Sequence, residues 1–182
     1  MGRTNLIMLH GEKIYLRPVR QDDLPILAAR ANDLAFLTEF NFFGLHQHNG
    51  LEKYFQEDGL LGREHGTLVV VTCDSDQVVG DVSYRQVRYG PGDASIAYNF
   101  GIALAPEHRG KGYGVEAQQL LAQYLFSVYP IMRVEASTDI TNRAELRALE
   151  KAGFTREGVL RKAQWRNGDW HDLVVYSKLR GE

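Results

Sequence analysis

The densest chemistry in the sequence lies between Leu104 and Gln118, where Arg109 precedes three glycines, Gly110, Gly112 and Gly114, alternating with Lys111 and Tyr113. Glycines let backbone N–H groups approach a ligand closely, and the first N–H groups of a helix have no intrahelical partner. The helix macrodipole adds positive potential at such a point, and Arg109 and Lys111 bring cationic side chains to the same corner. The chemistry this stretch suits is the binding of a phosphate.

Three phosphate-binding patterns compete for it. A P-loop requires Gly-x-x-x-x-Gly-Lys-Ser/Thr, but Ala105 stands at the first glycine and Gly112 replaces the hydroxyl. A dinucleotide turn requires Gly-x-Gly-x-x-Gly, and here the third glycine arrives one residue early, with Val115 in its place. Glu135 does stand near where a ribose-binding acid would be expected, which keeps this rival open. The third pattern, Arg/Gln-x-x-Gly-x-Gly/Ala, is met in full by Arg109, Gly112 and Gly114. On these residues the chain resembles the GCN5-related N-acetyltransferase superfamily. The wider string from Pro106 to Ala117 is similar to the branch that includes the ribosomal-protein-alanine N-acetyltransferases.

The elements around the turn are readable. Ile96, Tyr98, Phe100, Ile102 and Leu104 alternate with smaller or polar residues, as in a strand with one buried face. Gly101 within it predicts a bulge or a close backbone approach. After the glycines, Ala117, Leu120, Leu121, Tyr124, Leu125 and Val128 recur at helical spacing. Earlier, Lys13 to Val19 predicts a strand, and Gln21, Asp22 and Asp23 open a helix. The aromatic segment from Phe36 to Gly66 predicts a helix over about Gly50 to Leu61 and loop elsewhere. Thr67 to Cys73 and Val78 to Val87 read as strands about an Asp74-Ser75-Asp76 turn, and the loop Tyr89 to Asp93 leads into the central strand. Met132 to Ser137 follows as another strand, with Arg133, Glu135 and Ser137 on one face. Asn142 caps the next helix with Glu145 as a back-bonding partner, and Gly153 ends it. Val159 to Arg166 and Asp169 to Leu179 flank Asn167-Gly168, a strong hairpin signal.

These elements predict a single α+β domain over residues 1–182 with a mixed sheet. The resemblance sharpens this to a mostly antiparallel sheet with a splayed central strand and flanking helices. A doubly wound nucleotide fold needs several strand–helix alternations, and one is visible. A net charge of −2 supplies no basic footprint for nucleic acid. No signal-peptide pattern or membrane-length apolar run is present, so the chain reads as cytoplasmic. Cys73, the only cysteine, precludes an intrachain disulfide and reads as a small buried hydrophobe beside Val69, Val70 and Val71. His46 and His48 lack carboxylate or cysteine partners and read as solvated loop residues, so no metal site is expected.

The resemblance implies acetyl-CoA as cosubstrate. Backbone groups of Ile102, Ala103 and Leu104 would pair with its pantetheine arm. The backbone from Arg109 through Gly110, Lys111, Gly112 and Tyr113 to Gly114 would hold its pyrophosphate, and Asn142 would contact its thiol end. Glu135 is the candidate general base; its alternative role is an ion pair with a neighbour such as Arg133. The acid is less clear. Leu149 stands where many members have tyrosine, and Glu145 where the branch often has serine. A solvated Glu145 is a poor proton donor, so release of the thiolate directly or through water is expected, with Tyr98, Tyr113 and His171 as substitutes. The acceptor is an amine, either a protein N-terminus or a small molecule, with walls from Phe36–Gly66 and Gln164–Trp170. Glu39, Glu52, Glu57 and Asp58 are candidate amine-binding carboxylates, and a solvated acidic face is the competing reading. A homodimer is compatible with such a chain. A non-catalytic CoA-sensing or protein-interaction domain is the main alternative function, separated by CoA release with amines. A nucleotide-dependent enzyme, separated by NADH or ATP binding, is the second.

Overall fold

In the computed structural model, which describes residues 9–45, 48–92 and 95–182, the chain runs through β1 (Leu9–His10), β2 (Ile14–Pro18), α1 (Leu24–Arg30), α2 (Leu34–Asn41), α3 (His48–Asp58), β3 (His65–Thr72), β4 (Val78–Arg88) and β5 (Ile96–Leu104). It continues through α4 (Tyr113–Val128), β6 (Arg133–Asp139), α5 (Arg143–Lys151), β7 (Thr155–Arg166) and β8 (Asp169–Leu179). Among the described residues the strands form one 8-stranded sheet in the order β1-β2-β3-β4-β5-β6-β8-β7. Neighbours are antiparallel except β5 and β6, which run parallel. The expected α+β fold with a mixed, mostly antiparallel sheet is the one observed.

The parallel pair makes the architecture. β5 and β6 register only at Tyr98↔Val134 and Asn99↔Glu135, after which they part. Parallel strands need a long crossover, and α4 supplies it. α4 and α5 bury Leu121, Leu125 and Leu149 with Val82, Tyr84, Tyr98, Phe100, Val134 and Tyr176 of the sheet. On the other face, Leu24 and Leu27 of α1 pack with Val69 and Val71, joined by Leu51 and Phe55 of α3.

Several local expectations need correction. The segment after Phe36 is more helical than its glycines suggest. α2 starts at Leu34, where the Asp33 carboxylate accepts the Ala35 N–H at 2.9 Å. Gly101 makes neither bulge nor crowded contact: β4 and β5 stay in register through Ser83↔Gly101, and an added Cβ would meet only the Ser83 Oγ at 3.6 Å. The free edge of β5 comes from the departure of β6. Cys73 is exposed, because β3 ends at Thr72 and the chain turns there. At the start of α5, Asn142 Oδ1 accepts the Glu145 N–H at 3.3 Å, but the Glu145 carboxylate binds elsewhere and does not bond back. Asn167 (φ 51°) and Gly168 (φ 82°) adopt the positive φ that a tight hairpin needs. His46 lies outside the described residues, as does the side chain of His48.

Leu121 is fully buried between α4 and the sheet. We therefore expect Leu121→Ala to cost about 2–5 kcal/mol of unfolding free energy, read from urea denaturation, with no change of fold.

Candidate functional site

Beyond β5 the chain makes a short 3-10 turn at Pro106–His108 and then the glycine turn. Gly110 (φ 74°) and Gly112 (φ 88°) both take left-handed conformations, which a side chain would strain. Gly112 is the N-cap of α4, and the first intrahelical bond runs from Glu116 N to Gly112 O at 3.2 Å. The N–H groups of Tyr113, Gly114 and Val115 precede that bond and form the positive end of a helix of 16 residues. This is an anion cradle built from main chain.

The cations around it differ from the expectation. The Arg109 guanidinium folds away: its Nε donates to Leu104 O at 2.8 Å and its Nη2 to Phe36 O at 2.6 Å. In its place Lys13 reaches the turn, its Nζ donating to Lys111 O at 3.2 Å. Lys13, Lys111 and Lys151 line one groove together with Gly110 and Gly112. Glu116 fixes this side, its carboxylate accepting the N–H groups of Lys13 at 3.1 Å and Ile14 at 3.2 Å and also that of Glu12. Lys13 was not legible as a site residue because no local pattern links it to a turn nearly a hundred positions later.

Ile102, Ala103 and Leu104 pair with β4 along one edge, at Val82, Asp81 and Gly80. Their other edge borders the gap left by β6. Unpaired main-chain groups need partners, and an extended ligand with amide groups can supply them. On the β6 side of the gap, Asn142 is held twice, by Glu145 N and by donating its Nδ2–H to Thr138 Oγ1 at 3.1 Å.

α2 packs against β5. Arg109 holds the carbonyl of Phe36, and Arg166 lies over the Phe40 ring at 5.6 Å. Between these anchors Thr38 is forced to φ 60° and ψ −179°, a conformation costly for a residue with a β-carbon. Arg166 is itself buried against Asp139 at the end of β6, and His171 Nδ1 approaches Asp139 Oδ2 at 2.9 Å. Burial alone would raise the Asp139 carboxyl, but bonds from the Thr141 hydroxyl and amide and from Arg166 outweigh it and hold it at about 2.

Glu135 sits at the last β5–β6 rung and is buried. Its Oε2 accepts the Arg133 Nε–H at 2.8 Å and the Tyr89 hydroxyl. Arg133 in turn is gripped by Glu157. Of the substitute acids, Tyr98 is buried and donates to Arg63 O at 2.7 Å, and His171 is engaged by Asp139 and Arg166. Tyr113 stacks on His108 at 6.4 Å. Glu145 is only partly solvated. It is half-buried beside the fully buried Gln118, whose Nε2 donates to its Oε1 at 2.8 Å. Burial lifts its carboxyl to about 7, against a smaller lowering by that hydrogen bond. The candidate amine-binding carboxylates Glu39, Glu52, Glu57 and Asp58 are exposed, as a solvated face would be. A carboxylate the sequence reading missed, Asp81, is raised to about 6 by burial, with Arg30 opposing.

The sequence model of the acetyltransferase (GNAT) domain matches residues 13–155. The chain is 31% identical to the probable N-acetyltransferase YjcK of Bacillus subtilis, over 94% of this chain and 97% of that protein. Among solved structures, the ribosomal-protein-S5-alanine acetyltransferase of Vibrio fischeri superposes with a TM-score of 0.78 at 22% identity, over 97% of this chain and 98% of that one. A spermidine N-acetyltransferase of Vibrio cholerae, solved with CoA and spermine, superposes with a TM-score of 0.75 at 20% identity, over 92% and 95%. The chain belongs to the acetyltransferase (GNAT) domain family. It is an acyltransferase of the N-acetyltransferase class, built on a glycine turn and a parted pair of parallel strands.

The Asp139 cluster carries a pH signature. Its folded-state carboxyl lies below the ordinary carboxylate value, so the stabilisation is present above about pH 4 and is lost as pH falls toward 2. The stability gap between the wild type and Asp139→Asn should be about 2 kcal/mol or more at pH 7 and shrink steadily from pH ~5 to ~2, measured by chemical denaturation.

Proposed function

We propose that the protein transfers an acetyl group from acetyl-CoA to a primary amine by direct attack within a ternary complex. The observation that carries this reading is the early parting of β5 and β6 beside the glycine turn. A pantetheine arm, with amides spaced along an extended chain, suits the free edge at Ile102, Ala103 and Leu104. The pyrophosphate suits the N–H groups from Gly110 to Gly114 and the charges of Lys13 and Lys111. The thioester then lies near the last rung, at Asn99 and Glu135.

At that point the chemistry is modest. An amine with a pKa near 10 must lose a proton before it attacks. Glu135 is the base in this reading. Its two bonds fall on Oε2, so Oε1 receives the proton, directly or through one water. Main-chain N–H groups along the free edge stabilise the oxyanion that forms on the carbonyl. Two acceptor classes follow from the relatives: a polyamine such as spermidine and a protein N-terminus with alanine. The tethered α2 and the hairpin at Trp165 and Trp170 form the acceptor walls.

Acetyl-CoA at a hundred times its dissociation constant should add about 2.7 kcal/mol of stability, each kcal/mol raising the melting point by roughly 2–4 °C. CoA should act alike, and NADH and ATP should have no effect. Thiol release on adding spermidine or an alanine-terminated peptide then separates transfer from CoA sensing. Glu135→Gln should lower kcat/KM by about 10²–10⁴-fold and remove the acidic limb of the pH–rate profile. An unchanged rate and profile would show that Glu135 is only the partner of Arg133.

A further inference from the structure

Glu135 stands on β6 between two neutral register partners, Asn99 of β5 and Ser177 of β8. Both of its hydrogen bonds fall on Oε2, from the Arg133 Nε–H and the Tyr89 hydroxyl, and none reaches Oε1 among the described residues. The arginine is largely engaged elsewhere. Both of its Nη groups grip the Glu157 carboxylate of β7, the Nη2–Oε2 bond at 2.6 Å, and Ser177 Oγ donates to Glu157 Oε1 at 2.6 Å. Those bonds, Arg133 first, hold the Glu157 carboxyl at about 2. A single guanidinium charge therefore answers two carboxylates, and the cluster keeps a negative charge at neutral pH.

Tyr89 supplies what the arginine cannot. Its ring is 64% exposed on the loop between β4 and β5, yet its hydroxyl reaches across to Glu135 Oε2. Its main-chain N–H donates to Ser95 O at 2.9 Å, which anchors the residue, and its ring lies under the Arg133 guanidinium at 5.6 Å. Burial and then the bond to Glu135 push the hydroxyl above its ordinary value, so it remains a donor at neutral pH. A donor to the ionised carboxyl favours that form. Because the tyrosine is uncharged, it does so without cancelling the charge that attracts an ammonium acceptor.

We infer that Tyr89 is a positioning residue for the base, fixing the Glu135 carboxylate through Oε2 and leaving Oε1 open and unprotonated until the amine arrives. This rests on the acetyl-transfer reading above, with Glu135 as its base. In the step it serves, an N–H bond of the acceptor ammonium breaks with its electron pair staying on nitrogen. The proton passes to Oε1, and solvent later takes it from there. Since both donors sit on the other oxygen, the Tyr89 bond survives the transfer.

The test is a double-mutant cycle. Tyr89→Phe keeps the ring under Arg133 and removes only the hydroxyl, and it is compared with Glu135→Gln and with the double variant. The substrates are acetyl-CoA with spermidine or an alanine-terminated peptide. In the wild-type background Tyr89→Phe should move the acidic limb of the kcat/KM profile to higher pH by roughly one unit. That is a loss of up to about tenfold on the limb, with KM for acetyl-CoA unchanged. In the Glu135→Gln background there should be no limb for it to move. Asp81 and Glu145, whose carboxyls burial also raises, are common to every variant and cancel in the comparison. An unmoved limb, or the same fold loss in both backgrounds, would overturn the proposal. If Glu135→Gln itself kept full activity, the base assignment would fall and the proposal with it. Urea denaturation of the same proteins reads the bond without turnover. A charge-assisted bond is stronger than a neutral one, so the midpoint shifts should be non-additive, and additive shifts would also overturn the proposal. A wild type that releases no thiol with either acceptor, while those shifts stay non-additive, would remove the acetyl-transfer reading and reduce Tyr89 to a structural partner of Glu135.

Discussion

The interaction on which this molecule depends is one it makes only briefly: the parallel pairing of β5 with β6, abandoned after Asn99 and Glu135. Main-chain groups without partners are expensive in a protein interior, so a sheet that opens along its centre must open toward solvent or a ligand. Everything nearby follows from keeping that gap open while the rest of the sheet stays closed. Antiparallel pairs on both sides, β2 to β5 and β6 with β8 and β7, carry long registers, shifted only between Val70 and Val71 in the β3–β4 pair and at Arg156–Gly158 and Leu160–Gln164 in the β7–β8 pair. α4 must cross from the end of β5 to the start of β6, and this places its positive N-terminus at the rim of the gap.

The two sides of the gap are held by different means. On the β5 side, Glu116 clamps the β1–β2 loop through main-chain N–H groups, and this brings Lys13 to the glycine turn. On the β6 side, the buried Asp139 gathers Arg166, His171 and Thr141. Buried ion pairs are weak sources of net stability, but removing one partner is strongly destabilising, which makes them good fixers of geometry. α2 bridges the two sides through Arg109 and Arg166, with a strained segment at Thr38 between the two anchors. The hydrogen bond from Gln118 to Glu145 joins the sides again between α4 and α5.

How much of this could be read from the sequence depended on how local each feature is. β5, α4, the Gly153 cap and the Asn167-Gly168 hairpin were readable because alternation, helical spacing and positive-φ residues act over a few positions. α2 was hidden because Phe36, Phe40, Phe42 and Phe43 follow no single period and Gly44 interrupts them, although the Asp33 cap was a usable signal. The site divided in the same way. The glycine turn was legible from its own spacing. The direction of Arg109 was not, because its acceptor, Phe36, lies on another element. Glu145 looked like an ordinary exposed residue of a helix start, and only its contact with Gln118 across the α4–α5 interface reveals a half-buried carboxyl whose pKa is raised. Glu135 was correctly placed on the strand, while its engagement by Tyr89 required the loop before β5.

Hydrogen–deuterium exchange with and without acetyl-CoA tests the central claim most directly, because it reads the main-chain groups themselves. The account predicts slowed exchange at Ile102 to Leu104 and at Gly110 to Val115, with β2 and β3 unchanged. Protection confined to other segments, or none at all at saturating acetyl-CoA, would contradict the view that the parted strands and the glycine turn form the cosubstrate site.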